Sequence, residues 1–310
     1  MMSKQTKLPV RKTLIILGLF LAIHFILPVL GELKTSLKSL YEVKLWWVLF
    51  GLSATIANIV LGSFATKVYA EGKTELSKLF AIQLSSSFLN IITPVSVGGA
   101  AVASKYFTKK LKMPIGKAVS AATIPTISIT IIMLTTILIS SPKTITTLIN
   151  GVQVNRSILI LASVAVLTSS LVLFTHPHFK DLRVKFKNQI NGVLDLTSDK
   201  KKLGRLAMIN SGQILLSVLT LLFCCTAFNV NLPMHVLVVV IAVAGVTGQV
   251  APTPGGIGAE EAALAAGMGL FGVNAGVAVA IALMYRLLTF WLPIIPGYFA
   301  LNYLNRTKAI

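Results

Sequence analysis

The sequence predicts an all-α fold: a polytopic membrane helix bundle of about six full spans plus two re-entrant helical hairpins of opposite orientation. Three observations carry the prediction. Of 310 residues, 55% are hydrophobic and 12% charged, against about 25% charged in an ordinary soluble domain. Stretches free of Lys, Arg, Asp and Glu recur along the chain. Two of them are broken by Pro and Gly in the same way.

A helix crossing the roughly 30 Å hydrocarbon layer needs about 20 apolar residues. The charge-free stretches are Thr13–Gly31, Leu45–Thr66, Leu79–Ser104, Ala118–Pro142, Ser157–Phe179, Leu206–Ala259, Ala262–Tyr285 and Leu287–Asn305. The first follows Lys4, Lys7, Arg11 and Lys12 and has no small-residue cleavage site after it, so it reads as a retained helix. Leu206–Ala259 is too long for one span and must fold back. The chain reads as one membrane domain, 1–310, with 176–204 as a basic cytoplasmic amphipathic connector. In it Phe179, Leu182, Phe186, Ile190 and Val193 recur at helical spacing, with Lys180, Arg183, Lys185 and Lys187 between them. A plain connecting helix packed on the bundle fits that pattern equally well.

The first broken stretch carries Asn90, Pro94, Gly98 and Gly99. The second carries Pro252, Pro254, Gly255, Gly256 and Gly258, followed by Glu260 and Glu261. Proline removes a backbone donor and glycine resists helix, so both stretches are expected to unwind. Unwound backbone at membrane depth is tolerated only inside protein or beside a wet cavity.

Charge placement favours hairpins over crossings. The chain carries 28 Lys and Arg against 9 Asp and Glu, for a net +19. With re-entrant hairpins and a cytoplasmic N-terminus, segments 1–12, 67–78, 105–117, 180–205 and 306–308 lie inside and hold 22 basic residues. Segments 31–44 and 143–156 lie outside and hold 5, and Arg286 remains within the membrane. Full crossings would put 105–117 and 180–205 outside, against the positive-inside rule. The first hairpin then opens from the cytoplasm and the second from outside. This places the protein in the cytoplasmic membrane with both termini cytoplasmic. The basic excess is thereby explained by loops, and no nucleic-acid partner is expected.

Three charges lie deep in apolar sequence: Glu260, Glu261 and Arg286. Each is costly in lipid, about 2.5–3.5 kcal/mol on insertion scales, so they should face inward and pair. Glu261, opening the helix after the Gly-rich break, is the expected partner of Arg286. That pair either staples the hairpin or touches the substrate. The helix starts after both breaks offer N–H groups and a positive dipole end to an anion, for which a lipid phosphate is the natural candidate. Asn90, Ser96, Gln249, Asn58 and Asn210 are available to add hydrogen bonds, although each alone more often joins helices. Cys224 and Cys225 are neighbours on one helix and suit neither a disulfide framework nor a metal site. No nucleotide, hydrolase or metalloprotease motif is present, so no enzyme activity, cofactor or metal is expected.

Pro252 through Leu264 resembles the second signature of the lysylphosphatidylglycerol synthase transmembrane-region family, also called flippase-like proteins. Tyr285-Arg286 with Trp291, Pro293 and Gly297 is similar to the family's closing helix, and Asn90, Pro94, Gly98 and Gly99 to its first signature. The resemblance spans about Thr13 to Tyr303. It implies a relative of the lipid-translocating half of the aminoacyl-phosphatidylglycerol synthases. By that resemblance Glu261 matches the family's acidic position and Arg286 its membrane arginine. The chain departs from the pattern at Ala100 and Ala103, where members often place an acidic and a basic residue. No soluble aminoacyl-transferase domain follows in the sequence, so lysyl transfer is not expected. The implied function is movement of an anionic or modified phospholipid headgroup between leaflets, lined by Glu261, Arg286 and the Gly-rich backbone. The alternatives are a non-transporting scaffold for a lipid-modifying enzyme and a small-solute transporter.

Overall fold

The structure is a computed structural model that describes residues 43–70, 74–93, 98–140, 191, 193–194, 197–251 and 253–310. Regular structure among them is helical. In chain order the helices are α1 (Leu45–Tyr69), α2 (Leu76–Ile92), α3 (Gly98–Lys110), α4 (Ile115–Ile139), α5 (Lys200–Ala227), α6 (Met234–Val250), α7 (Ala259–Leu270), α8 (Ala275–Arg286) and α9 (Ile294–Arg306). A π-helical turn, Leu287–Trp291, joins α8 to α9. The expected spans at Thr13–Gly31 and Ser157–Phe179, and most of the 176–204 connector, lie outside the described residues.

Among the described residues, four helices are long and apolar enough to cross a membrane: α1, α4, α5 and the continuous run Ala275–Arg306. That last run holds Arg286 inside one continuous helix, in keeping with the reading that leaves this residue within the membrane. The chain turns between α7 and α8, at Phe271–Asn274, where Asn274 Oδ1 accepts the Gly276 N–H at 3.0 Å. Arg286 stays inside a helix because its charge is neutralised there. The π turn keeps the helix continuous up to Pro293, with Leu292 N–H donating to the Leu287 carbonyl at 2.9 Å.

α1 and α5 pack closely because small residues line their contact. Gly51, Ala54, Thr55, Gly62 and Ala65 are buried along one face of α1. Small side chains let helix backbones approach without a hydrophobic drive from water. Asn58 adds polar interlocks: its Nδ2 donates to the Gln213 carbonyl at 2.8 Å and to Ser217 Oγ at 3.0 Å.

The two short helices that flank each Pro/Gly break pack against one another. At the first, Ser86 and Asn90 of α2 lie against Gly99, the second residue of α3. At the second, Gly248 of α6 lies against Glu260 of α7, and Val240 of α6 against Gly267 of α7. Each pair of short helices therefore packs antiparallel. These pairs sit in different apolar clusters. One cluster holds Leu79, Ile82, Val102 and Phe107 of the first pair, with Tyr69, Ala118, Leu206 and Leu304 at the near ends of α1, α4, α5 and α9. The other holds Val240, Ile241, Leu264 and Met268 of the second pair, with Leu221, Ile281 and Leu288 from the opposite ends of the long helices. Between the two clusters lies a polar layer.

Candidate functional site

The second break builds a charged knot. Arg286 Nε donates to Glu261 Oε1 at 2.8 Å and Nη1 to Glu260 Oε2 at 2.9 Å. Nη2 donates to the Gly255 carbonyl at 3.0 Å, and the guanidinium lies 3.8 Å from the centre of the Phe290 ring. All three guanidinium nitrogens are engaged, and the Arg286 side chain is only 4% exposed. Glu261 also accepts the Gly258 N–H through Oε2 at 2.8 Å, which caps the start of α7. The knot carries two negative charges against one positive. The excess sits at the N-terminal end of α7, where the helix dipole favours it. The expected Glu261–Arg286 pair is thus present, and Glu260 joins it as a second carboxylate.

Several of the N–H groups that the helix starts would offer an anion already have partners. At α7 the Gly258 N–H is held by Glu261, and the Glu260 and Ala262 N–H groups donate to the Gly256 and Gly258 carbonyls. At α3 the Gly98 N–H donates to Thr93 Oγ1 at 3.0 Å and the Gly99 N–H to Asn90 Oδ1 at 2.7 Å. Local side chains satisfy these groups first because they are tethered a few residues away.

The two breaks also meet. Gly255, at φ +60°, lies against Phe290 and the backbone of Ile91 near the end of α2. A Cβ at Gly255 would stand 2.5 Å from the Phe290 ring and 3.2 Å from Ile91 Cα, so the turn, the ring and the α2 backbone are in close contact. Thr253 and Pro254 lie beside this contact, and Pro94 and Pro252 fall outside the described residues.

Open space lies to the side of the first hairpin. A cavity of about 210 Å³ is walled by α1, α2, α3, α4 and α5, and is lined by Gln83, Ser86, Asn90, Asn210 and Gln213 among others. Gly99, Ala100 and Ala103 form its α3 wall. Of the sequence-derived candidates, Asn90, Gly99 and Asn210 line this cavity, and Gly98 packs behind it against Leu89. A second cavity of about 150 Å³ is lined by Asn58, Gln83, Ser217, Tyr285 and Thr289 among others. Gln83 borders both. Tyr285, next to Arg286 in sequence, connects the second cavity to the charged knot. Glu261, Arg286, Gly255, Gly256 and Gly258 line neither cavity.

Sequence reasoning missed Gln83, Gln213 and Tyr285. The signal for the two glutamines was present, since each is a carboxamide within a charge-free stretch. Their convergence was not, because it needs the packing of α1, α2 and α5. The expectation that amides join helices is met at four positions. Asn58 binds α5, Asn90 binds α3, and Asn210 Nδ2 donates to the Pro125 carbonyl of α4 at 3.0 Å. Gln249 Oε1 accepts from Thr130 Oγ1 at 2.5 Å. Ser96 lies outside the described residues.

A helical bundle with several membrane-capable helices, buried intramembrane charges and polar cavities between helices defines a multi-pass membrane protein. The chain belongs to the lysylphosphatidylglycerol synthase TM region family, whose model matches residues 15–297. Membership places it among membrane proteins of lipid-related function. Comparison with curated proteins gives no significant match.

Proposed function

We propose that the protein is a flippase-like lipid transporter of the cytoplasmic membrane, in which a headgroup enters the polar layer while its acyl chains remain in the bilayer. The observation that carries this reading is the 210 Å³ polar cavity placed between two apolar clusters. A polar space at that depth lowers the cost of moving a headgroup through hydrocarbon. The opposed hairpins supply two halves that can rock about this layer, as in inverted-repeat transporters. Charge supports the orientation. Of 15 described Lys and Arg, 13 flank the cluster holding the first hairpin, Lys44 lies at the other end and Arg286 is internal. By the positive-inside rule the first hairpin enters from the cytoplasm, the second from outside, and the C-terminus is cytoplasmic.

The headgroup is assigned to the cavity beside α3, with Asn90, Gly99, Gln83, Asn210 and Gln213 as its wall. Glu261, Glu260 and Arg286 hold the second hairpin and act on the lipid only through Tyr285 and the shape of the layer. The protein's part is binding and movement, with no bond made or broken. An anionic phospholipid is the family-level expectation for the cargo. Reconstitution into vesicles with labelled lipids tests the reading: Ala100→Trp, which fills the cavity, should abolish lipid exchange between leaflets that wild type supports. Equal exchange by both would remove the cavity from the mechanism.

A second reading is a membrane scaffold for a lipid-modifying enzyme. The close contact of Gly255 with Ile91 and Phe290 favours it, because it ties the two broken segments together. Failure of purified wild-type protein to move any lipid, with stable capture of such an enzyme, would select it.

A further inference from the structure

The two cavities repeat along the helices that wall them. On α1 the smaller is lined by Thr55, Asn58 and Ile59, and the larger by Gly62, Ala65 and Thr66. Each residue of the first set stands seven positions before one of the second. On α5 the same interval separates Asn210 and Gln213, in the larger, from Ser217 and Thr220, in the smaller. Seven residues make about two turns and about 10 Å of helix, so one stripe of each helix meets both cavities. Along α1 and α5 the smaller cavity thus lies about 10 Å further than the larger from the ends marked by Tyr69 and Leu206.

Carboxamides form the boundary. Gln213 lines the larger cavity and Asn58 the smaller, and the two are tied. Gln213 Nε2 donates to Asn58 Oδ1 at 3.2 Å, and Asn58 Nδ2 donates to the Gln213 carbonyl at 2.8 Å. This pair fixes α1 to α5. Gln83 of α2 reaches the same place, and among the described residues it is the one that lines both cavities. Its amide end lies over Gly62: a Cβ there would stand 2.7 Å from Gln83 Nε2 and 3.0 Å from Gln213 Nε2. Glycine at this position is what gives the Gln83 amide its seat on α1. Beyond the helix ladder, Gln83 bonds through its main chain, whose carbonyl accepts Ser87 Oγ at 3.2 Å. Its amide has no partner among the described residues, whereas those of Asn58, Asn90 and Gln213 are engaged. A side chain seated by contact alone leaves its seat by rotation between staggered rotamers, with no hydrogen bond to break.

We infer that the two cavities are successive stations of one polar passage and that Gln83 is the movable partition between them, closed when its amide rests on Gly62. Swung off that seat, the side chain joins the two spaces. Its amide both donates and accepts, so it offers hydrogen bonds to a polar group crossing in either direction. The second station reaches Tyr285, whose neighbour Arg286 holds the second hairpin. The passage therefore runs from the wall of the first hairpin to the residue beside the lock of the second. This inference rests on the transport reading for its cargo, the polar part of a headgroup, and adds to that reading a second station and a gating residue.

The test reads the passage apart from lipid movement. Ser217→Cys places a thiol in the smaller cavity and Ala100→Cys one in the larger, each in the full chain in vesicles. A membrane-impermeant methanethiosulfonate is added on the cytoplasmic side. The chain without an introduced cysteine gives the background from Cys224 and Cys225, both 0% exposed. Ala100→Cys should react readily and Ser217→Cys slowly. Adding Gln83→Ala should speed the Ser217→Cys reaction about tenfold, the factor that freeing one rotamer-rich side chain supplies, and leave Ala100→Cys unchanged. Gly62→Ala removes the seat while keeping the glutamine, and should shift the Ser217→Cys rate in the same direction if Gln83→Ala does not fold. An unchanged Ser217→Cys rate in the folded variants would overturn the inference, as would an Ala100→Cys that the reagent never reaches. Lipid exchange by wild type would still stand in both cases. Exchange of acyl-labelled phosphatidylglycerol in the same vesicles separates the two readings: a faster Ser217→Cys reaction without any exchange by wild type would support the passage and overturn transport. Gln83→Leu keeps the bulk of the partition without its amide. It should leave labelling at the wild-type rate and slow lipid exchange up to about tenfold, as losing one ordinary hydrogen bond does. Exchange at the wild-type rate would overturn the part given to the amide.

Discussion

Arg286 ties together the buried charges of the bundle. It joins two carboxylates, a turn carbonyl and an aromatic face, all in a buried setting. Removing one member of such a set leaves a charge without its partner, which costs about 3–5 kcal/mol in buried pairs. Arg286→Ala should therefore lower the unfolding midpoint in detergent sharply, with the loss read by thermal scanning of the purified protein. The two carboxylates are not equivalent. Glu261 has two partners and a 10% exposed side chain, whereas Glu260 has one partner and is 20% exposed. Glu261→Gln should cost about 2–3 kcal/mol and Glu260→Gln about 1 kcal/mol, following the price of losing charged hydrogen bonds. Equal midpoints for the two variants would show that the cap on Gly258 adds nothing. The sequence carried the pairing of opposite charges, because three charges in lipid must find one another. It did not carry the count of partners, which follows from α7 and α8 presenting their faces at one height.

Among elements, the hairpins depend on close backbone approach. A Cβ at Gly98 would stand 2.5 Å from the Leu89 carbonyl oxygen, and one at Gly256 would stand 2.7 Å from the Gly248 carbonyl at φ +69°. Neither obstacle is a flexible side chain, so the helices themselves would have to part. Gly98→Ala and Gly256→Ala should each destabilise by about 1–3 kcal/mol, the usual cost of overpacking. Gly204 in α5 is the control, with nothing within 4 Å of its Cβ position. Gly204→Ala should stabilise by up to about 1 kcal/mol through helix propensity. Midpoints that rank the three alike would remove the case for backbone contact at the breaks. The sequence marked both breaks through proline and glycine. Which glycines bear the contact was hidden, because that depends on the register of the returning helix.

At the scale of the molecule, two apolar clusters flank a polar layer, and basic residues collect at one end. The topology predicts opposite labelling of two exposed turns. A cysteine replacing Lys112, between α3 and α4, should react with an impermeant maleimide only from the cytoplasmic side. One replacing Asn229, after α5, should react only from outside. The native Cys224 and Cys225 are both 0% exposed and contribute no background. Labelling of both positions from the same side would overturn the opposed arrangement of the hairpins.

Composition and spacing alone determined that this chain is a helical membrane protein, where its helices break, and which charges must be buried together. These are properties of local sequence in an apolar solvent: a helix needs its length, a proline stops a ladder, and an ion in lipid needs a partner. Only the tertiary structure decided that the charged knot is closed on itself and that the open polar space lies beside α3, walled by Gln83, Asn90, Asn210 and Gln213. Those amides are separated by up to 130 positions, and nothing local relates them. They converge because small residues let α1 and α5 approach while α2 and α3 pack beside α1 and α4.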